Sequence, residues 1–121
     1  MSLDPPAKGI ASLQQALADF AQRRDWHRFH SPKNLAMALS VEAAEIMELF
    51  QWVDTAGSGA IPLDKQQALA EEIGDVMIYL TMLASKFNID PVDAAWAKMA
   101  LNEKKYPANQ VYGKSLKYNE Y

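Results

Sequence analysis

Two pairs of acids spaced three residues apart, Glu42 with Glu45 and Glu72 with Asp75, are the side chains in this sequence best placed to do chemistry. Residues i and i+3 of a helix share a face, so each pair would present two carboxylates side by side. Both pairs adjoin apolar stripes. Leu35, Leu39, Ile46, Leu49 and Val53 repeat at helical spacing, with Glu42 in the middle of the stripe and Glu45 at its flank. Leu69, Ile73, Val76, Leu80, Leu83 and Phe87 form a second stripe, with Glu72 at its edge and Asp75 one turn on. A lone ExxE is common on solvated helix faces. A carboxylate beside a buried stripe is costlier, because it must be paired, protonated or metal-bound once it leaves water. Two such pairs predict one four-carboxylate cage for a hard divalent cation, with enough oxygens for Mg²⁺ or Mn²⁺. Glu48, on the same flank as Glu45, could be a fifth ligand, a base for an attacking water, or a solvated side chain. Glu71 points away from Glu72 and reads as solvated.

Two further groups accompany the acids. Trp52 shares the flank of Glu45 and Glu48, Tyr79 follows Asp75 by one turn, and Trp26 precedes the second helix. Singly, each ring reads as core; together, beside a metal cage, they could form a stacking slot for a nucleobase. Lys98, Asn102 and Lys105 lie near one face of the fourth helix, and Lys114 and Lys117 follow in the tail. Solvation is the default for a lysine, but cations near a bound metal would also hold phosphates. His27 and His30 lack a second His or Cys at metal spacing and read as hydrogen-bonding groups.

The elements that must position these groups are helices. Ser12 is read as the cap of a first helix ending near Asp25, with Leu13, Leu17 and Phe20 on its apolar face and Arg23 elsewhere. Ser31-Pro32 opens a second that runs to about Asp54. A glycine-containing loop over residues 55–62 leads to a third, capped by Asp64 and reaching about Phe87. Gly74 inside it points to a close approach by another helix or a ligand. Asp90-Pro91 opens a fourth that stops at Tyr106, with Val92, Trp96 and Met99 as its inner face. Four helices with short connections imply an all-α four-helix bundle, one domain with its core over about residues 10–107 and a polar tail over 108–121. The 121 residues are half apolar and 22% charged, in the globular range. A net charge of −3 gives no electrostatic case for a nucleic-acid polymer. There is no cysteine, no apolar run long enough to span a membrane and no leader-like segment, which points to a cytoplasmic protein.

Taken together, Glu42-Ala43-Ala44-Glu45 and Glu72-Ile73-Gly74-Asp75 have the form ExxE…ExxD and resemble the MazG-like, all-α nucleoside triphosphate pyrophosphohydrolases, closest to the dCTP pyrophosphatase-like branch. The resemblance extends over residues 12–108. It includes Arg24-Asp25-Trp26, Phe29-His30-Ser31-Pro32-Lys33-Asn34-Leu35, Glu48-Leu49-Phe50-Gln51-Trp52, Asp75-Val76-Met77-Ile78-Tyr79-Leu80, and Lys98, Asn102 and Lys105-Tyr106-Pro107. It implies hydrolysis of a nucleoside triphosphate to the monophosphate and pyrophosphate by a homodimer or dimer-based tetramer, with sites near subunit interfaces. It also implies Mg²⁺ at Glu42, Glu45, Glu72 and Asp75, and a base pocket from Trp52 and Tyr79 lined or supported by Trp26, His30 and Asn34. Asn102 and Lys105 would contact sugar or phosphate, and Glu45 or Glu48 would orient the attacking water. Lys105 stands where many members have arginine, which keeps the charge but loses the bidentate fork. The competing reading is a non-catalytic nucleotide- or metal-binding bundle acting as a sensor. A di-iron bundle would want Glu-x-x-His pairs, which neither motif supplies.

Overall fold

Five α-helices follow one another in the computed structural model, which describes residues 9–53 and 61–115: α1 (Ile10–Arg23), α2 (Pro32–Phe50), α3 (Leu63–Ser85), α4 (Pro91–Lys105) and the short α5 (Ala108–Val111), with a 3-10 turn at His27–Phe29. No strand occurs among the described residues. No helix there is long and apolar enough to cross a membrane. The expected end of the second helix at Asp54, most of the 55–62 loop, and Lys117 in the tail lie outside the described residues.

The two proline-marked starts form as expected. The Ser31 side chain accepts a hydrogen bond from the Asn34 N–H at 3.1 Å, ahead of Pro32. Asp90 Oδ1 accepts from Val92 N–H at 2.8 Å and Asp93 N–H at 3.1 Å, ahead of Pro91. Each cap satisfies donors that the first turn leaves without partners. The other two expected caps do not form. α1 begins at Ile10, so Ser12 already lies inside its first turn. α3 begins at Leu63, so Asp64 is a first-turn acid instead, favourable near the positive end of the helix. α1 and α3 close with matching Schellman-type turns. Trp26 N–H donates to Ala21 O at 2.9 Å with Asp25 at φ 54°, and Ile89 N–H donates to Ala84 O at 3.0 Å with Asn88 at φ 54°. The first of these turns delivers Trp26 to the site.

α2 packs chiefly on α3, α1 lies against the same helix, and α4 touches α3 lightly. The core is narrow: Leu35 of α2 is 1% exposed and Thr81 of α3 is 0% exposed, joined by Ala21, Ala84 and Ile61. The expected α2 stripe of Leu35, Leu39, Ile46, Leu49 and Val53 is buried or half-buried. On α3 the expectation needs correcting. Leu69, Val76 and Leu83 are covered, but Ile73, Leu80 and Phe87 are exposed. Because α3 is gripped by both α1 and α2, its covered face is turned toward Glu72, Asp75, Ile78, Tyr79 and Met82. Ile73, Met77 and Leu80 remain as an outward apolar stripe. The inner face expected of the fourth helix is likewise outward, with Trp96 71% exposed between an exposed Val92 and Met99. Periodicity shows that a helix has an apolar face, not that its partner is in the same chain. A Cβ placed on Gly74 meets nothing within 4 Å, so among the described residues no other helix makes the expected close approach.

Candidate active site

The i, i+3 geometry places Glu42 and Glu45 on the face of α2 that meets α3, and Glu72 rises opposite them. One carboxylate oxygen from each of the three lies within 4.8 Å of the others. Oε2 of Glu42 and Oε2 of Glu72 are shut off from water although their residues are only half-buried, and neither has a hydrogen-bond partner. Facing carboxylates are acceptors only, so one must take up a proton or a cation must enter between them. Sharing a proton with Glu42, then with Glu45, and then burial push the Glu72 carboxyl up to about 7. For Glu42 a proton supplied by Glu72 would act downward, but burial, Glu45 and the charge of Asp75 together outweigh it and leave Glu42 raised as well. In the absence of metal, both carboxyls are therefore raised, and the Glu42–Glu72 pair as a unit favours holding a proton. The donor set is hard, anionic and frustrated, and it fits a divalent cation. Asp75 is outside the tight trio but within electrostatic reach of Glu42, one turn beyond Glu72. Glu48, exposed one turn past Glu45, is outside it too.

Asp75 also lines a cavity of about 500 Å³ between α1 and α3, within the range of small-molecule sites. Leu13, Leu17 and Phe20 of α1 and Ile78 and Met82 of α3 give it apolar walls, and Trp26, His30 and Tyr79 add rings. Trp26 is held edge-on by Phe20 at 5.8 Å and by His30 at 6.2 Å between ring centroids. Burial, then the Lys86 ammonium, then His27 hold His30 below the usual histidine range, so its ring is neutral at pH 7. Asn34 does not line the cavity. Its Nδ2 donates to Phe29 O at 3.0 Å, which ties the start of α2 to the 3-10 turn between Trp26 and His30. A smaller cavity of about 170 Å³ lies behind His30, lined in part by His27, Ser85 and Lys86. It holds no carboxylate and is small for a nucleotide, so the larger space is the candidate site.

The structure thus brings Glu42, Glu45 and Glu72 together and sets Trp26, His30, Tyr79 and Asp75 around one cavity. It does not bring Trp52, Asn102 or Lys105 to that cavity. Trp52 lies past the end of α2 and is 88% exposed, and the other two sit on α4. Phe20, Arg23, Ile78 and Met82 line the cavity without having been singled out for the site. The i, i+3, i+7, i+10 spacing of Leu13, Ala16, Phe20 and Arg23 carried the signal for the α1 wall.

Comparison with known proteins accords with this geometry. The chain is 39% identical to dCTP pyrophosphatase 1 of Homo sapiens over 118 residues, covering 95% of this chain and 69% of the relative. It is 38% identical to dCTP pyrophosphatase 1 of Mus musculus over 117 residues, with the same coverage. The crystal structure of a pyrophosphatase from Archaeoglobus fulgidus DSM 4304 superposes with a TM-score of 0.66 at 37% identity, covering 81% of this chain and 92% of that one. The profile of the MazG-like family matches residues 37–121, which include both acidic motifs, and the chain belongs to that family.

Proposed function

We propose that this protein is a Mg²⁺-dependent, cytoplasmic enzyme that hydrolyses a dCTP-like or modified deoxynucleoside triphosphate to the monophosphate and pyrophosphate. The enzyme class, a nucleoside triphosphate pyrophosphohydrolase, follows from the relatives. The observation that carries the finer reading is the convergence of Glu42, Glu45 and Glu72 oxygens within 4.8 Å, beside an aromatic cavity that Asp75 also lines. Glu42, Glu45, Glu72 and Asp75 would hold the divalent ion, Mg²⁺ or in its place Mn²⁺. Bound there, it would supply charge neutralisation for the phosphates as pyrophosphate departs. Trp26, Tyr79 and the neutral His30 stack on and orient the base, while Phe20, Leu17 and Met82 exclude water behind it. Asn34 keeps the Trp26–His30 segment in register with α2. Glu45 or, one turn along, Glu48 would orient a water toward the α-phosphorus and accept its proton.

The same reading makes the active unit a homodimer or dimer-based tetramer. Apolar stripes at i, i+4, i+7 face outward on α3 (Ile73, Met77, Leu80) and on α4 (Val92, Trp96, Met99). Trp52, Asn102 and Lys105, assigned to substrate by resemblance, stand away from the cavity of their own protomer, and a second copy offers a route by which they reach a site. Hydrolysis in isotopically labelled water tests the chemistry. Label found in the nucleoside monophosphate places the attack at the α-phosphorus, as proposed. Label found in pyrophosphate places it at the β-phosphorus and removes the proposed role of the water-orienting carboxylate.

A further inference from the structure

We infer that Arg23 is a phosphate-binding residue of this site, donating its guanidinium to the polyphosphate of the bound nucleotide at the carboxylate end of the cavity. The inference rests on the nucleotide-hydrolase reading above and adds a residue to it.

α1 and α3 run antiparallel. Ala11 and Gln15, at the start of α1, share a surface cleft with Ser85 and Asn88 at the end of α3. Further along, Leu17 shares the large cavity with Met82. Phe20 and Tyr79 line that cavity from the two helices. One turn onward from Phe20 is Arg23, and one turn back from Tyr79 is Asp75. In an antiparallel pair both steps lead the same way, by about 5 Å. Arg23 and Asp75 therefore occupy one end of the cavity, next to the acidic trio, while Leu13, Leu17 and Met82 line the other. A base belongs at the apolar end and a triphosphate at the charged one.

The guanidinium is available for that task. Its Nε donates to Asp19 O at 3.4 Å, a long bond, and among the described residues it makes no ion pair, with Asp75 or any other acid. Its neighbour behaves differently. Arg24 lies 3.6 Å over the Phe20 ring and donates to Phe20 O at 3.1 Å, so it braces the aromatic wall. Among the described residues, Arg23 is the one Lys or Arg that lines the cavity. A guanidinium offers paired donors that match two phosphate oxygens. Against three or four carboxylates, a polyphosphate needs a cation on its far side as well as the metal.

The test compares the full-length protein with Arg23→Gln, Arg23→Lys and, as a surface control, Arg28→Gln, whose guanidinium pairs with Asp25 at 3.1 Å. Binding of inorganic tripolyphosphate in the presence of Mg²⁺ is measured by calorimetry, alongside KM and kcat for a panel of deoxynucleoside triphosphates. Arg23→Gln is expected to weaken tripolyphosphate binding and raise KM by roughly ten- to a hundred-fold for every base. Arg23→Lys should recover part of the loss, and inhibition by the unphosphorylated nucleoside should be unchanged. Unaltered tripolyphosphate affinity in Arg23→Gln overturns the inference. So does a reordering of base preference at constant tripolyphosphate affinity, which would make Arg23 a base-reading residue. A wild-type protein that binds tripolyphosphate through Arg23 yet turns over nothing would sink the proposed activity and leave this assignment standing.

Discussion

Glu72 illustrates how far a single carboxyl depends on its neighbours. Its ordinary value is 4.5, and Glu42, Glu45 and burial raise it to about 7. Between those values the metal-free folded chain keeps a proton that the unfolded chain has released. Stability of the metal-free protein should therefore fall as pH rises through that window and level off above it. Thermal melting in chelator from pH 5 to 8 should show this decline, and saturating Mg²⁺ should abolish it by taking the proton's place. Glu72→Gln should remove the pH dependence, melt no earlier than the wild type near pH 7 and abolish turnover. A variant that unfolds while its folded fraction stays fully active would end the cage account. The carboxylate pairs were legible because i, i+3 spacing fixes neighbours within one helix. That Glu42 and Glu72 meet closely enough to share a proton was not, because that depends on distances between helices. Arg23 escaped notice for a similar reason. A basic residue in the last turn of a helix is already accounted for by the helix dipole, and only the position of α3 reveals the second role.

Among the elements, the segments between helices do most to place the aromatic groups. Asp25 at φ 54° turns the chain so that Trp26 returns to α1 and meets Phe20. Asn88, also at φ 54°, makes the equivalent turn ahead of α4. Asp and Asn tolerate this region better than other non-glycine residues, and glycine tolerates it best. Asn88→Gly should be neutral or stabilising by up to about 1 kcal/mol in chemical denaturation, whereas Asn88→Val should cost about 1 kcal/mol or more. Asp90→Ala should cost about 1 kcal/mol, since Oδ1 accepts from two first-turn N–H groups. An unchanged midpoint for Asp90→Ala would mean that α4 is held by contacts elsewhere. Ser31-Pro32 and Asp90-Pro91 could be read directly because a capping side chain and a proline mark the same boundary. Ser12 and Asp64 misled because residue type alone cannot say whether a helix begins one or two residues earlier.

At the scale of the whole molecule, the all-helical fold and the order of its four long helices follow from the apolar periodicity. The use of each apolar face does not. α4 presents Val92, Trp96 and Met99 outward, and α3 presents Ile73, Met77 and Leu80 outward. Such stripes are what a partner subunit covers. Trp96→Asp is expected to move the proposed dimer toward monomer in light scattering, with a loss of about 2 kcal/mol or more in association. A wild-type chain that is monomeric at high micromolar concentration would contradict the assembly. The same assembly would explain why Trp52, Asn102 and Lys105 lie away from the cavity of their own protomer. Product analysis on a panel of canonical and modified NTPs and dNTPs, with Mg²⁺ and with chelator, decides whether this chain is a metal-dependent pyrophosphohydrolase. The expected products are monophosphate and pyrophosphate in equal amounts, formed only with metal and fastest from a cytosine-type deoxynucleotide. Diphosphate with orthophosphate, or hydrolysis that persists in chelator, would contradict that activity, and tight nucleotide binding with no turnover would leave a sensor in its place.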